Sequence, residues 1–552
     1  MPEKISKPSR RQVLVAGAAT AGVSAVANRA NASTRTRTRT TRARAAGDGT
    51  PEQIHLTWGE DATRTVVVSW ASPQRAVNPR VQIGQRRIEA AERRYTDGLN
   101  GEAVWTYHAQ VQDLRPGASY AYEVTADNDT NYLAPFGATF TTAPQGRRNF
   151  RFTSFGDLAT PNTEWELSYG QSAYAVAAVE TFQPLFHLLN GDLCYADLNP
   201  AHQPDVWRDF GNNNQASAAY RPWMPVPGNH EIEFGNGPQG LTSYLTRYTL
   251  PASNARGLEG RWYSFRIGSV LFVALDADDV VYQDAGAFVA GPDALTPATR
   301  KPPIEPGTSF YVRGYSKGAQ TRWLESTLKR ARQDESVDWI VAQMHQCATS
   351  SSQTGNGSDL GIRETWLPLF DRYQVDLVLT GHDHDYERSF PVRGFDKRAG
   401  TSATTKTTVN TMRPRPVSTE DTGIFDTSQG TVHLILGCGG TSAPLDEYSD
   451  HRQAKVFTYP NRPVPTGTKN VYTRNAADAV EDAIWSAKRD TETGYGIAVF
   501  DVDPGSPGGE TSITVTHYHA VGADPVNPNT GAIGAPNPDY TEFESFTLVR
   551  PR

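Results

Sequence analysis

In the stretch "LVLTGHDHDYERS", Val378, Leu379 and Thr380 have the character of a buried strand that ends at Gly381, which places His382 and His384 on the loop beyond it. Histidines two apart do not share a helix face, but on an extended loop both imidazoles can point into one site. Imidazole pairs of this kind are metal ligands when other loops supply matching donors. Four further segments do so: "FGDLA" contributes Asp157, "NGDLCYAD" Asp192 and Tyr195, "PGNHE" Asn229 and His230, and "VAQMHQ" His345. A single Gly-Asp after a strand is commonplace and would read as the polar rim of a sheet. The ordered set points instead to a site that holds hard and borderline metal ions.

Such a set requires a scaffold that brings strand ends together. From Arg148 onward, apolar strands alternate with amphipathic helical segments. "NFRFTSFGD", "PLFHLLNGD", "SVLFVALD", "DWIVAQMH", "VDLVLTGH" and "TVHLILGCGG" read as strands, while "AYAVAAVETF", "QTRWLESTLKRAR" and "ETWLPLFDRY" read as helices. This is the grammar of an α/β domain, whose sites lie beyond the carboxyl ends of the strands. Residues 51–145 follow a different pattern, all-β, with alternation in "QIHLTW" and "TVVVSW". There "LRPGASYAYEVTA" looks like the tyrosine-corner strand of a fibronectin type III sandwich. At 552 residues the chain is long enough for these two domains, 51–145 and 149–552.

With these motifs in place, the sequence resembles the purple acid phosphatases within the calcineurin-like metallophosphoesterases. An all-β fibronectin-like domain ahead of the catalytic domain is the plant-type arrangement of that family, and the likeness continues through "YERS" and "VTHYH". Tyr195 is its most specific element, because most other metallophosphoesterases lack a tyrosine ligand at the second motif. The resemblance implies an α/β metallophosphoesterase β-sandwich flanked by helices. It also implies a ferric ion held by Asp157, Tyr195 and His384, a divalent Zn, Mn or ferrous ion held by Asn229, His345 and His382, and Asp192 bridging the two. Two metals about 3.5–4 Å apart can clamp phosphate and activate a bound water, so no protein nucleophile is required. The implied reaction is hydrolysis of small phosphate monoesters by attack of a metal-bound hydroxide. In the family the histidine equivalent to His230 contacts phosphate and is a candidate general acid, beside the simpler reading that it fixes the loop. Asn229 and His230 are thus the substrate-binding pair. His187 reads as a core residue or a support behind the ligands.

One departure bears on the substrate. Plant-type members carry a histidine about ten residues past the fourth motif, yet none occurs here between His345 and His382. This keeps open a phosphodiesterase or nucleotide phosphohydrolase using the same metals. A rival of another class is an inactive exported binding module.

The N-terminus speaks to location. Arg10-Arg11, a short Ala/Gly/Val run and Ala30-Asn31-Ala32 have the layout of a twin-arginine signal, so residues 1–32 are expected to direct export and be removed. Residues 1–32 hold five Lys/Arg and one Glu, so cleavage would take the formal charge from −7 to −11. An Arg/Thr-rich linker, 33–50, follows. The acidic remainder argues against a nucleic-acid partner, and no stretch is long and apolar enough for a membrane span. Plant-type relatives are often homodimers, and a homodimer is the corresponding expectation here. Three cysteines do not make a disulfide scaffold, though Cys194 and Cys347 each lie within two residues of a proposed ligand and could form one bridge. The Pro-, Gly- and Thr-rich segments 277–315 and 395–430 read as surface loops.

Overall fold

The alternating N-terminal segments fold as two antiparallel four-stranded sheets. One is ordered Glu52–Trp58, Val66–Ser72, Ala103–Val111, Ala91–Thr96, and the other Arg86–Glu89, Arg80–Ile83, Ser119–Thr125, Phe136–Thr141. Alternation turns Leu56, Val68, Trp70, Tyr107, Tyr122 and Phe140 into a common core. The backbone N–H of Arg115 donates to Tyr120 Oη at 2.7 Å, the contact that defines a tyrosine corner.

This computed structural model describes residues 49–127, 135–233, 236–237, 239–283, 313–352, 356–441, 452–458, 463–466, 469–472, 479–491, 493–520 and 540–552. The expected signal at 1–32, nearly all of the linker and residues 284–312 of the first insert lie outside the described residues.

Two seven-stranded sheets pack face to face in the remainder. The first is ordered Trp223–Pro225, Phe186–Leu189, Phe150–Phe155, Gly496–Asp503, Glu510–His519, Thr541–Pro551, Ile424–Asp426. The second runs Tyr263–Ile267, Val270–Ala274, Trp339–Gln343, Leu377–Thr380, Val432–Leu436, Tyr386–Ser389, Ser486–Arg489. Aromatic side chains join them: Phe272 of the second sheet meets Phe152 and Phe186 of the first edge-on, both at 5.2 Å. Helices flank the sandwich. Ala319–Gln333 lays Leu324 and Leu328 against Ile340 and Val378, and Ser172–Phe182 covers the first sheet with Ala175 and Val179. The fold is therefore the α/β metallophosphoesterase sandwich behind an all-β domain, and Gly47–Arg552 forms one unit.

What matters for function is strand direction. Phe150–Phe155, Phe186–Leu189 and Trp223–Pro225 run parallel, as do Val270–Ala274, Trp339–Gln343, Leu377–Thr380 and Val432–Leu436. Parallel strands end on the same edge, so the residues after them gather at one rim.

The structure corrects several expectations. Segment 395–430 is not simply loop: Val392–Asp396 pairs with Arg413–Pro416, Gly400–Ser402 pairs with Thr408–Val409, and Ile424–Asp426 forms an edge strand. These strands are short enough that Thr, Pro and Gly mask their period. "ETWLPLFDRY" spans two helices, Leu360–Thr365 and Leu367–Arg372, divided at Trp366 ahead of Pro368. Helix Gln203–Ala218 has no counterpart in the sequence reading, because Asn and Gln dilute its apolar stripe. All three cysteines are free thiols, so the Cys194–Cys347 bridge does not form. His187 is a core residue, donating to or accepting from Thr153 Oγ1 at 2.8 Å and packed against Phe155 and Trp223. Among the described residues, no helix is long and apolar enough to cross a membrane.

Candidate metal centre

The strand-end loops hold their functional residues in left-handed backbone. Asp157, Asp192, Tyr195 and His382 have φ of 57°, 48°, 61° and 74°, a region that non-glycine residues visit rarely. Non-glycine residues kept there cluster at functional sites. Two glycines make the crowding feasible. A Cβ on Gly228 would collide with the Asp192 carboxylate, and one on Gly381 would collide with that of Asp157.

The donors fall into two adjoining groups. In one, Asp192, His345 and His382 are buried and present ligand atoms all within 4.8 Å of one another. His345 Nε2 lies 2.9 Å from Asp192 Oδ2 and 3.2 Å from His382 Nδ1. Its other ring nitrogen faces the carbonyl of Asn190 at 2.7 Å, so the Nδ1–H donates there and Nε2 is left to the site. In the other group, Tyr195 Oη is 3.0 Å from Asp157 Oδ1 and 3.1 Å from His384 Nε2, which is itself 3.4 Å from Asp157 Oδ1. The backbone N–H of His382 donates to Asp157 Oδ2 at 2.8 Å, tying the first motif to the last.

Asn229 opens the turn Asn229–Glu231, and its side-chain oxygen is buried without a hydrogen-bond partner among the described residues. The next N–H, of His230, donates to Asp192 Oδ1 at 2.9 Å. His230 Nδ1 sits 3.0 and 3.1 Å from the two oxygens of Asp197, and Nε2 is 4.0 Å from Asp192 Oδ2. The ring is therefore held from behind and faces the donor cluster.

The buried carboxylates favour positive charge at this rim. Burial works against the charged forms of His345 and His230. Asp192 and Asp157 outweigh it at His345, Asp197 and Asp192 outweigh it at His230, and both imidazoles are raised to about 10. Burial also pushes the Tyr195 phenol well up, with the Asp157 and Asp192 carboxylates adding to the shift. A cation at this point reverses that preference and favours the phenolate. Carboxylates, a phenol, imidazoles and an orphaned amide oxygen on adjoining loops fit a pair of metal ions. The site thus brings together all eight residues singled out by sequence.

Three carboxylates were not singled out. Asp197 holds His230. Glu231 accepts from the N–H groups of Leu193 at 2.8 Å and Gly228 at 2.7 Å, joining the second and third motifs. Asp278 follows strand Val270–Ala274, and Gln346 Nε2 donates to its Oδ1 at 2.8 Å. Each lay in view, as the last residue of "CYAD", the last of "GNHE" and a strand-end acid in "ALDADD".

Known proteins share this arrangement. Residues 51–143 match the family described as purple acid phosphatase, N-terminal domain, and residues 150–386 match the calcineurin-like phosphoesterases. An uncharacterized protein of Mycobacterium tuberculosis is 41% identical over 520 residues, covering 90% of this chain and 87% of its own. A purple acid phosphatase of Glycine max is 25% identical over 467 residues, 80% of this chain and 86% of that protein. An Arabidopsis thaliana relative, named an Fe(3+)-Zn(2+) purple acid phosphatase, is 24% identical over 74% of this chain and 77% of its own. The fold is shared with a purple acid phosphatase from yellow lupin seeds, at a TM-score of 0.59 and 18% identity, over 91% of this chain and 75% of that one. Relatedness along nearly the whole chain, with the family's two parts in order, makes this protein a member of the purple acid phosphatases, phosphoric monoester hydrolases of the calcineurin-like phosphoesterase family that use a binuclear metal centre.

Proposed function

We propose that this protein is an exported phosphatase that hydrolyses small phosphate monoesters at a mixed-metal centre. The observation that carries the reading is the meeting of two buried donor groups, Asp192–His345–His382 and Asp157–Tyr195–His384, at one rim. Asp157, Tyr195 and His384 suit a ferric ion, Asn229, His345 and His382 suit a divalent Zn, Mn or ferrous ion, and Asp192 suits the bridge. When bound, such a pair polarises phosphate and makes a nucleophile of water near neutral pH.

The chain's own residues do the rest. Asn190 and Asp157 hold the His345 and His382 loops in place through hydrogen bonds of 2.7 and 2.8 Å. Asp197 holds His230 Nδ1 from behind at 3.0 Å and directs its Nε2 toward the site, where it donates to a phosphate oxygen and then passes its proton to the leaving oxygen.

Residues 51–145 and 149–552 are proposed as the two domains, 1–32 as the twin-arginine signal, and a homodimer as the assembly. The protein as purified should contain about two metals per chain, one of them iron, and show a visible absorption band. It should hydrolyse 4-nitrophenyl phosphate faster than bis(4-nitrophenyl) phosphate. A preference for the diester would transfer the reading to a phosphodiesterase, a reading the lack of histidine between His345 and His382 leaves open. A metal-free protein that resists reconstitution would favour the inactive binding module.

A further inference from the structure

The N-terminal domain reaches into the loop that carries Asn229 and His230. Between its strands Ala91–Thr96 and Ala103–Val111 lies a tight turn opened by Asp97. Asp97 Oδ1 accepts from the N–H groups of Leu99 and Asn100, both at 2.9 Å, which sets the turn. Its other oxygen crosses the domain boundary and accepts from Asn236 Nδ2 at 3.2 Å, while the Gly98 N–H donates to Asn236 Oδ1 at 3.2 Å. Asn236 also donates to Glu233 Oε2 at 2.6 Å, and Glu233 Oε1 accepts from Trp207 Nε1 at 2.5 Å.

These contacts belong to one loop. The Ile232 N–H donates to the Asn229 carbonyl, the Glu233 N–H to the Gly240 carbonyl at 3.1 Å, and the Thr242 N–H to the Asn236 carbonyl at 2.9 Å. Asn236 thereby pins the far end of the segment whose near end presents Asn229 and His230. Asp97, Glu233 and Asn236 are 2%, 1% and 2% exposed, so water does not compete for the bonds. Adhesion between the domains is supplied elsewhere. Arg93 Nη1 donates to the carbonyls of Leu245 and Tyr248 at 3.0 and 2.9 Å, and Tyr122 Oη donates to the Ala219 carbonyl at 2.7 Å. A polar link to this particular loop is thus not needed to hold the domains together.

We propose that Asp97 is a positioning residue for catalysis, acting through Asn236 to fix the loop that sets His230 against the leaving group. The proposal rests on the role given to His230 above. It assigns the N-terminal domain a part in turnover.

The test is Asp97→Asn in the full-length, metal-loaded protein. Asparagine keeps an Oδ1 for the turn but sets an NH2 against the NH2 of Asn236, so the bond across the boundary is lost. Arg93→Met, which removes adhesive bonds away from the loop, is the control. Each variant is assayed on an alkyl phosphate and on 4-nitrophenyl phosphate, and hydrogen exchange is followed in peptides covering residues 229–233. A displacement of about 1 Å costs up to about a hundredfold, so Asp97→Asn should lower kcat on the alkyl ester roughly tenfold and on the aryl ester much less, with faster exchange in that segment. Arg93→Met should leave the ratio of the two rates unchanged. A ratio unchanged in Asp97→Asn, whatever its melting temperature, overturns the proposal. Should Asp97→Asn not fold, Asp97→Ser retains a turn acceptor too short to reach Asn236 and is read in the same way. His230→Ala separates the two layers. If it shifts the ratio and Asp97→Asn does not, only the positioning role falls. If neither ester is hydrolysed by the wild-type protein, the functional reading falls and takes this one with it.

Discussion

Two buried polar clusters lie on either side of the Asn229–Glu233 segment, and they are built on opposite rules. At the metal rim, candidate metal ligands converge: Tyr195 Oη donates to Asp157 Oδ1 beside His384, the ring nitrogens of His345 and His382 lie 3.2 Å apart, and the Asn229 oxygen has no hydrogen-bond partner among the described residues. At the domain seam, both oxygens of Asp97 and both of Glu233 receive a donor, and the Asn236 oxygen receives the Gly98 N–H. Burial without hydrogen bonds is expensive, typically ~1–3 kcal/mol per group. The first cluster leaves a buried side-chain oxygen open, while in the second the oxygens of Asp97, Glu233 and Asn236 all meet protein donors.

Changes at the rim should be the most damaging. Asp192→Asn removes the charge proposed to bridge the two ions, and turnover should fall to assay background with loss of at least one metal per chain on elemental analysis. Next comes His230→Ala, expected to slow alkyl phosphates about a hundredfold or more while sparing esters with good leaving groups, the range of a lost general acid. Equal losses on both would make His230 a structural residue and narrow the contrast between the clusters. Tyr195→Phe should abolish the visible band with a smaller effect on rate, read by spectroscopy on metal-loaded protein. A retained band would remove the phenolate from the proposed ferric site.

The seam should respond in stability and not in metal content. Burial raises the Glu233 carboxyl to about 8 despite its bonds to Trp207 and Asn236. The folded state then keeps a proton that the unfolded chain releases near pH 4.5, so this group's stabilising contribution is full in acid and declines as pH rises toward 8. Glu233→Gln should flatten that decline in denaturant titrations between pH 5 and 8, by at most about 1.4 kcal/mol per pH unit. An unchanged slope would show that Glu233 is ionised throughout and that the seam carries charge as the rim does.

The rim was legible in the sequence because chemistry there is written locally. Each donor follows an apolar strand, most behind a glycine, and parallel strands must end together whatever the loops do. The seam was not legible. Asp97, Asn236 and Glu233 become partners only when the two domains dock, and in the sequence each is one more polar residue in a turn. Helix Gln203–Ala218 escaped for a related reason: its buried side, with Val206, Trp207 and Phe210, is legible only once the domain it packs beside is known. The strands within 395–430 are two to five residues long, too short for a period to emerge, and they are held by pairing with distant segments such as Ala479–Asp482.

The left-handed donors have a consequence for biosynthesis. Asp157 and the backbone of His382 are 225 positions apart yet joined directly, and Asp157, Asp192, Tyr195 and His382 adopt φ values that a free chain seldom samples. In a nascent chain the donor set is therefore complete only after residue 384 has been made and strand Leu377–Thr380 has taken its place. The full donor set can therefore meet a metal only after the fold has closed around it.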